Sequence, residues 1–476
     1  MDSIWTKTCE IDQRKPLPGN RKTEIAVIGA GMAGILIASA LEEAGCSVLV
    51  LEANRIASGQ TRNTTAKITS QHGLIYRKLE KTVGLERARQ YAAGNEAAVK
   101  AFRRIVKDRN IDCDFEDCSA YVYGYDPSEL RAEAETAVRL GLPASYVENI
   151  PLPFTAAGAV RFTDQAQFHP LKFLKALSEP LTIYENTSVQ TVDDHRIFTE
   201  HGTVEAEKLI FACHYPFVNF PGMYFARMHQ ERSYVLALEN CGRIDGMWIS
   251  EGQGSWSFRT YGDLLLLGGV GHRTGENREG GQYDALRHKA KEWFPDSREA
   301  ARWSAQDCIT PDSIPYIGQY APSKPDWYVA TGFGKWGMTS SMVASNLLRD
   351  RICGKENPNG SVFDPNRFDT ETIAGIACES GHAVKGLSKR IFQVPSEQAS
   401  VIPAGHGGIV SLGLDKAGVY KDENGTVYPV DIKCPHLGCQ LEWNPEEKSW
   451  DCPCHGSRFD CHGELISGPA QEGIGH

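Results

Sequence analysis

The sequence has 476 residues and a formal net charge of −10, with 41% hydrophobic and 23% charged residues. A chain of this length exceeds the size at which one hydrophobic core usually stops growing, so two or three domains are expected. The acidic balance and the lack of a Lys/Arg-rich run argue against nucleic acid or an anionic membrane surface as the main partner. The polar start MDSIWTKTCE lacks the pattern of a signal peptide, and the longest apolar run, 25–41, is broken by three glycines and is short for a membrane span. A soluble, cytoplasmic protein without a membrane span is therefore expected.

The first predicted elements form a βαβ unit within residues 24–52. EIAVIG predicts a strand, MAGILIASALEEAG a helix and CSVLVLE a second strand. The turn between the first two, Gly29-Ala30-Gly31-Met32-Ala33-Gly34, has the G-x-G-x-x-G pattern that permits a tight turn, backbone approach to a pyrophosphate and close helix–strand packing. Glu52 ends the second strand, where a carboxylate can accept hydrogen bonds from ribose hydroxyls. The unit predicts a dinucleotide site, the alternative being a glycine-rich turn that only packs.

Helical and strand patterns then follow one another in blocks. Residues 77–108 and 128–141 have helical patterns, 181–275 is dominated by short strand patterns, and a long helical pattern returns at 337–353.

A change of composition marks a domain boundary after this helix. The stretch 354–371 is rich in Pro, Gly and Asn, and 372–392 is expected to be a helical or irregular connector, so we assign 354–391 to a linker. From Phe392 onward, short strands separated by turns predict a small all-β domain over 392–476.

Four further segments carry distinctive motifs. They are the loop from Ala53-Asn54-Arg55 to NTTAK (53–67), the strand Ile210-Phe211-Ala212-Cys213, TPDSIPYIG (310–318) and TGFGKWGMTSS (331–341). Together with the glycine turn, and over roughly residues 24–352, they resemble the D-amino-acid oxidase-like family of FAD-dependent oxidoreductases, which includes glycine and sarcosine oxidases. The resemblance implies FAD rather than NAD.

The same resemblance implies a fold. Residues 22–353 would form an α/β Rossmann-type FAD-binding fold with an interleaved α+β substrate domain, roughly 77–180 and 214–305. The N-terminus of the late helix would face the flavin, where backbone N–H groups and the helix dipole stabilise the negative charge of the reduced ring. Cys308 precedes the TPD segment, so no cysteine matches a covalent flavin link and the FAD is expected to be non-covalent. The residues assigned to FAD are Gly29, Gly31, Met32, Ala33, Gly34, Glu52, Ala53, Arg55, Gly59, Gln60, Thr61, Thr64, Thr65, Ala66, Val189, Ala212, Gly318, Gly332, Gly334, Gly337, Met338 and Thr339.

Three residues are candidates for catalysis, each with a structural alternative. Arg259 could bind a substrate carboxylate in bidentate fashion, or could be an ion-paired strand arginine. His272 could act as a base or orienting group, or could be a hydrogen-bonded structural histidine. Lys335, in the late glycine turn, could be a charge partner of reduced flavin or a solvated loop lysine.

Four of the fourteen cysteines cluster between 434 and 454, beside two histidines. CPHLGC (434–439) and CPCHGS (452–457) supply C-x-H and C-x-x-H, in which Cys434, His436, Cys452 and His455 can hold a 2Fe-2S cluster with two cysteines on one iron and two histidines on the other. A structural zinc is the alternative, although tetrahedral zinc sites more often use C-x-x-C pairs.

These motifs, with GSRFD (456–460) and SGPA (467–470), resemble Rieske iron–sulfur domains over about residues 392–470. High-potential Rieske proteins place a disulfide where Cys439 and Cys454 lie, so the resemblance implies this disulfide and a high reduction potential. The chain continues past the second segment only as QEGIGH, so a closing strand is expected to be missing or replaced.

The two sites together predict an FAD-dependent dehydrogenase of an amine or amino-acid-like substrate. Electrons would pass from flavin to the Rieske cluster and on to a one-electron carrier protein or a quinone. Two alternatives remain open: a flavin reductase fed through the cluster, and a non-catalytic electron-transfer or redox-responsive protein. A Rieske oxygenase is disfavoured because His195 and His201 lack a properly spaced acid for a mononuclear iron.

Overall fold

The computed structural model describes residues 2–252, 256–367, 378, 381, 402–412 and 415–475. The helices are α1 Ile4–Thr8, α2 Met32–Glu43, α3 Tyr76–Asp108, α4 Pro127–Arg139, α5 Pro170–Ser178, α6 Gln282–Trp293 and α7 Gly337–Ile352, with 3-10 turns at Gln60–Asn63, Tyr224–Ala226 and Ser361–Phe363. Among the described residues, no helix is long and apolar enough to cross a membrane.

The strands are β1 Arg21–Ile28, β2 Val48–Leu51, β3 Lys67–Ile68, β4 Glu116–Gly124, β5 Ala144–Val147, β6 Gly158–Gln167, β7 Ile183–Tyr184, β8 Val189–Asp193, β9 Arg196–Thr199, β10 Gly202–Phe211, β11 His229–Glu239, β12 Met247–Ser250, β13 Ser257–Tyr261, β14 Leu264–Arg273, β15 Arg298–Ile309, β16 Tyr316–Ala321, β17 Lys324–Thr331, β18 His406–Leu412, β19 Asp415–Lys421, β20 Val427–Val430, β21 Glu442–Asn444, β22 Ser449–Asp451, β23 Arg458–Asp460 and β24 Leu465–Ser467.

The first sheet carries the βαβ unit. Its order is β16-β17-β10-β1-β2-β7, with β1 parallel to both β2 and β10, and the β8–β9 hairpin attached to β10. All four residues of β2 are buried, as expected for a parallel strand covered on both faces. Helix α2 is buried over most of its surface, and the Ser345 hydroxyl of α7 donates to the Leu36 carbonyl of α2 (2.8 Å). The α7 helix is thus fixed beside the glycine turn.

The second sheet is mixed and its strands come from interleaved parts of the chain. Its order is β15-β11-β14-β13-β12-β4-β6-β3, with β5 paired to β6. Strands β4 and β12 are parallel, whereas β11 is antiparallel to β14 and β15. The expected α/β fold with an interleaved α+β part is confirmed. Strand β15, which the sequence patterns do not predict, forms an edge of this sheet.

Residues 354–367, which the sequence analysis assigns to a linker, pack on the oxidoreductase body. The Phe363 ring stacks on Tyr91 (5.6 Å between centroids), and the buried Arg367 guanidinium pairs with the Asp312 carboxylate (2.7 Å). Pro, Gly and Asn favour irregular backbone of any kind, so their abundance does not distinguish a packed loop from a linker. The rest of the predicted linker lies outside the described residues, apart from Cys378 and Gly381.

The C-terminal part is a small β domain of two antiparallel sheets, β18-β19-β20 and β21-β22-β23-β24. The CPHLGC loop joins the two sheets, and the CPCHGS loop joins β22 to β23. The residues after SGPA take the place of a closing strand: Gly475 forms an antiparallel bridge with Val430, and the Asp431 N–H donates to the Ile474 carbonyl (3.0 Å). The final described residues therefore pair with the chain at the end of β20.

Candidate redox site at the junction of the two domains

A cavity of about 690 Å³ runs between the two sheets of the oxidoreductase part. The N-terminal ends of α2 and α7 both border it, so it receives two sets of backbone N–H groups and two positive dipole ends. Its size lies within the range of small-molecule and cofactor sites. The cavity therefore suits an elongated ligand with negative charge at two points.

The glycine turn has the close contacts that its motif requires. A Cβ on Gly29, whose φ is +106°, would lie 2.7 Å from the Ala212 carbonyl oxygen. A Cβ on Gly34 would lie 1.8 Å from the Gly29 carbonyl oxygen, so this glycine permits helix and strand to pack. Gly31 borders the cavity itself, where a side chain would fill the space for a phosphate.

Glu52 closes the other side of the turn. Its carboxylate accepts hydrogen bonds from the N–H groups of Ala30 (2.7 Å) and Asn54 (2.9 Å). Burial raises the pKa of Glu52 although these N–H groups lower it. The carboxylate lines the cavity, where an acceptor suits ribose hydroxyls.

Most of the residues that sequence analysis assigns to FAD line this cavity. They are Gly29, Gly31, Met32, Ala33, Glu52, Ala53, Gly59, Gln60, Thr61, Thr64, Thr65, Val189, Ala212, Gly334, Gly337 and Met338. Six others lie outside the lining: Gly34, Arg55, Ala66, Gly318, Gly332 and Thr339.

The residues outside the lining support the loops that form it. Arg55 pairs with the buried Glu185 (2.9 Å), and Thr339 donates to the Thr69 carbonyl (3.1 Å). A Cβ on Gly318 would meet Pro365 at 2.8 Å, and one on Gly332 would meet the Thr310 side chain at 2.4 Å. These residues therefore stabilise the segments that form the cavity, without bordering the cavity themselves.

Of the three catalytic candidates, two lie outside the cavity lining. Arg259 is buried and donates to the carbonyls of Thr65 (2.8 Å) and Ala66 (2.7 Å), so its guanidinium holds the NTTAK loop instead of facing a substrate carboxylate. His272 is held by the Tyr234 hydroxyl at Nε2 (2.9 Å) and by the Arg273 carbonyl at Nδ1 (2.8 Å). These hydrogen bonds engage both groups within the protein, as the structural alternative for each residue predicts.

Lys335 does line the cavity, and two residues that sequence reasoning missed join it there. Burial lowers the pKa of Lys67 to about 7, and its ammonium donates to the hydroxyls of Ser257 (2.8 Å) and Thr65 (3.2 Å). Burial also raises the pKa of Asp307 to about 7, although Lys335 lowers it. Lys67 ends the NTTAK motif and could have been singled out, whereas Asp307 lies on the unpredicted strand β15.

The two cysteine–histidine loops of the β domain have the same backbone form. The Gly438 N–H donates to the Cys434 carbonyl (2.9 Å), and the Gly456 N–H donates to the Cys452 carbonyl (3.0 Å). Both glycines have positive φ, +81° and +78°. The first cysteine and the glycine thus match in spacing between the loops, whereas the histidine comes two residues after Cys434 and three residues after Cys452.

The four predicted ligand side chains converge. The Nδ1 atoms of His436 and His455 are 3.2 Å apart, and the pKa of the Cys434 thiol is lowered because the Cys452 thiol donates a hydrogen bond to its sulfur. Cys439 and Cys454 form the expected disulfide between the loops. Two facing thiols and two facing imidazole nitrogens are the donor set of a Rieske 2Fe-2S cluster.

The cluster loops lie directly against the oxidoreductase part. The Phe225 ring stands edge-on to both imidazoles, with centroids 6.5 Å from His436 and 5.9 Å from His455. On β11, the Gln230 amide donates to the His455 carbonyl (2.6 Å), and on β15 the Gln306 amide donates to the Gly456 carbonyl (2.8 Å).

Strand β15 separates the cluster loop from the cavity. Ala305 and Asp307 line the cavity, while the side chain of Gln306 between them contacts the cluster loop. Consecutive side chains of a strand point to opposite faces, so this part of the wall is one strand thick, about 10 Å from face to face. Residues 465–468, 470 and 471 of the β domain also border the cavity.

A buried ionic network fixes the β domain in this position. The Arg232 guanidinium of β11 pairs with Glu447 (2.9 Å from Nε), which also pairs with Arg458 (3.2 Å). Arg458 in turn pairs with Asp451 (3.0 Å). These side chains are all less than a tenth exposed, so the contact differs from the loose interface of mobile domains.

Comparison with known proteins identifies both parts. Residues 24–351 match the FAD dependent oxidoreductase (DAO) family, and residues 394–475 match the Rieske [2Fe-2S] domain. The protein YhfW of Bacillus subtilis (strain 168) is 36% identical over 98% of this chain and 96% of its own length.

Two solved structures resemble the oxidoreductase fold. Glycine oxidase from Geobacillus kaustophilus has a TM-score of 0.62 at 18% identity, covering 73% of this chain and 99% of its own. L-proline dehydrogenase from P. horikoshii has a TM-score of 0.62 at 20% identity, covering 74% and 98%. The two matches imply FAD and a 2Fe-2S cluster as the cofactors, and the chain belongs to the DAO family of FAD-dependent oxidoreductases with a Rieske domain following the oxidoreductase domain.

Proposed function

We propose that this oxidoreductase is a dehydrogenase of an amino-acid-like amine, whose electrons leave the flavin through the Rieske cluster to an external acceptor. In this proposal the cavity-lining residues hold FAD non-covalently, and Cys434, His436, Cys452 and His455 hold the cluster. The observation that carries it is the wall formed by β15, because Gln306 contacts the cluster loop while its neighbours Ala305 and Asp307 face the cavity.

The cofactors supply different chemistry when bound. FAD takes up two electrons as a hydride equivalent, and the cluster exchanges one electron at a time. The reaction is balanced if the amine loses two electrons and two protons: the C–H bond breaks with its electron pair, the amine N–H gives up one proton as the C=N bond forms, and the C–H hydrogen leaves as a second proton once its electron pair has passed on. Two one-electron carrier proteins, or one quinone, would take up the two electrons.

Lys67 supports a substrate that carries a carboxylate. Its ammonium lies in the cavity wall with hydroxyl partners, and a bound carboxylate would replace the solvation that burial removes. Arg259, which the sequence predicts for this role, instead donates its hydrogen bonds to the loop carbonyls of Thr65 and Ala66. The two similar structures are a glycine oxidase and an L-proline dehydrogenase, and both names agree with an amino-acid-like substrate.

Asp307 supports a route for a released proton. With its pKa raised by burial to about 7, the carboxylate is partly deprotonated at neutral pH and can accept a proton at Oδ. Lys335 and Glu231 (3.4 Å apart) lie next to it, since Glu231 is the cross-strand partner of Asp307. These groups connect the cavity to His229, which is 21% exposed and lies 3.5 Å from Glu231.

The test is anaerobic mixing with a panel of amines, amino acids and amino-acid amides. We expect amino acids to bleach the flavin absorption in the wild type and in Cys434→Ser. Only the wild type should then pass electrons rapidly to a one-electron acceptor. If no member of the panel bleaches the flavin, while a reduced ferredoxin reduces the cluster and then the flavin, electrons run in the opposite direction and the dehydrogenase proposal is wrong.

A further inference from the structure

Asn219 lies in the loop after β10, far along the chain from the cluster motifs. Its side-chain oxygen lies 2.7 Å from Nε2 of His436 and thus joins the oxidoreductase domain to an imidazole of the cluster site. Nothing in the cysteine–histidine motifs requires this contact. It is a hydrogen bond between a side chain of one domain and a predicted iron ligand of the other.

The direction of this hydrogen bond follows from the ligand geometry. The Nδ1 atoms of His436 and His455 face one another at 3.2 Å, so iron would bind at Nδ1. A neutral imidazole bound through Nδ1 carries its proton on Nε2, and Nε2–H must then donate. The partner atom has to be an acceptor, and Oδ1 of the Asn219 amide is one.

The loop that carries Asn219 is held at several points. The Met223 N–H donates to the Asn219 carbonyl (2.9 Å), closing a turn. The Tyr320 hydroxyl donates to the Val218 carbonyl, and the Tyr224 hydroxyl donates to the Tyr320 carbonyl (2.9 Å). Asn219 is therefore presented to His436 by a packed loop anchored on β16.

We propose that Asn219 is a positioning residue for the cluster, which orients His436 and sets the reduction potential from the oxidoreductase side. A partner that accepts a hydrogen bond from the remote N–H of a ligand imidazole makes that ligand more basic. A more basic ligand stabilises the oxidised iron, so a stronger acceptor lowers the potential. The inference rests on His436 being a ligand but not on the direction of electron flow.

The test is a graded series at this position, read by EPR-monitored redox titration of the full-length protein. We expect Asn219→Asp, which offers a charged acceptor, to lower the midpoint potential, and Asn219→Leu, which offers none, to raise it. The expected difference between the two variants is about tenfold in the reduction equilibrium, about 59 mV for one electron. The ¹⁵N couplings of the histidine ligands should change in the same order.

Two controls separate this role from simpler ones. Phe220→Asp places the same charge one residue away on an exposed side chain, and Asn424→Leu makes the same Asn-to-Leu change at an exposed turn of the β domain. We expect the potential of Asn424→Leu to match the wild type, and that of Phe220→Asp to fall less than that of Asn219→Asp.

The proposal is overturned if Asn219→Asp and Asn219→Leu both keep the wild-type potential, or if Phe220→Asp lowers it as much as Asn219→Asp. If Asn219→Leu does not retain iron, the comparison of Asn219→Asp with wild type and Phe220→Asp decides. A wild type without a Rieske EPR signal would instead refute the ligand assignment.

Discussion

Glu447→Gln tests whether the buried ionic network holds the Rieske domain on the oxidoreductase domain. Glu447, 9% exposed, accepts hydrogen bonds from Arg232 and from Ser304 across the interface, and pairs with Arg458 of its own domain. Burial would raise its pKa, but Arg232 and Arg458 lower the pKa to about 2, from an ordinary value of 4.5. At 1.36 kcal/mol per pKa unit, the native contacts favour the ionised carboxylate by about 3 kcal/mol.

Removing this charge leaves Arg232 buried without its carboxylate, a change that costs about 3–5 kcal/mol in comparable pairs. Because the pKa is depressed in the folded state, the contribution is fully present above pH 4.5 and declines as the pH falls toward 2. The matched control is Glu423→Gln, whose carboxylate is 72% exposed and pairs with Lys448 on the surface. An exposed pair contributes about 0–1 kcal/mol.

The assay is urea unfolding at pH 7, with the cluster absorption reporting on the Rieske domain and flavin fluorescence on the oxidoreductase domain. We expect Glu447→Gln to move the cluster transition to lower urea by an amount equivalent to about 3 kcal/mol, with Glu423→Gln close to wild type. Equal transitions for the two variants would show that the network does not hold the domains together.

Four further outcomes are expected. Cys434→Ser should abolish the Rieske absorption and EPR signals and leave FAD bound; an unchanged EPR spectrum would refute the ligand assignment. Replacing Cys439 and Cys454 by Ser should lower the potential or destabilise the cluster loops, and a wild-type potential with wild-type iron retention would speak against any contribution of the disulfide. Lys67→Met should raise KM for an amino acid at least tenfold and leave KM for the corresponding amide unchanged. In the wild type, KM for the amino acid should rise above pH 7, where Lys67 loses its proton. If KM does not rise there, Lys67 does not contact the substrate carboxylate. The rate of flavin reduction in the wild type should fall below pH 7 as Asp307 becomes protonated, and in Asp307→Asn it should be low at every pH. If the variant has the pH–rate profile of the wild type, Asp307 does not belong to the proton route.

The parts of the site that sequence predicts are those encoded by local spacing. The glycine turn requires Gly29 and Gly34 because backbone atoms lie where a Cβ would be, and such a requirement is visible within six residues. The cluster loops are equally local, since each one supplies a cysteine, a histidine and a glycine with positive φ within six residues.

The parts that sequence does not predict depend on which strands meet. Arg259 and Lys67 have similar charge, yet the fold directs the first to loop carbonyls and leaves the second in the cavity wall. Asp307 gains its raised pKa from burial on β15, where the polar Gln306 comes directly before it, so alternation of polar and apolar residues does not single it out. The contact of Asn219 with His436 spans 217 residues of sequence, and no periodicity encodes such a pair.

The proposed function requires electrons to cross directly between flavin and cluster through the wall formed by β15. The most direct measurement is anaerobic flash photoreduction of the bound FAD, with the flavin followed by absorption and the cluster by EPR after freeze-quenching. We expect the EPR signal of the reduced cluster to appear as the flavin is reoxidised, at a rate independent of protein concentration and solvent viscosity. Direct transfer would be contradicted by any of three results: a rate that falls with viscosity, a rate that rises with protein concentration, or a flavin that is reoxidised without any cluster signal.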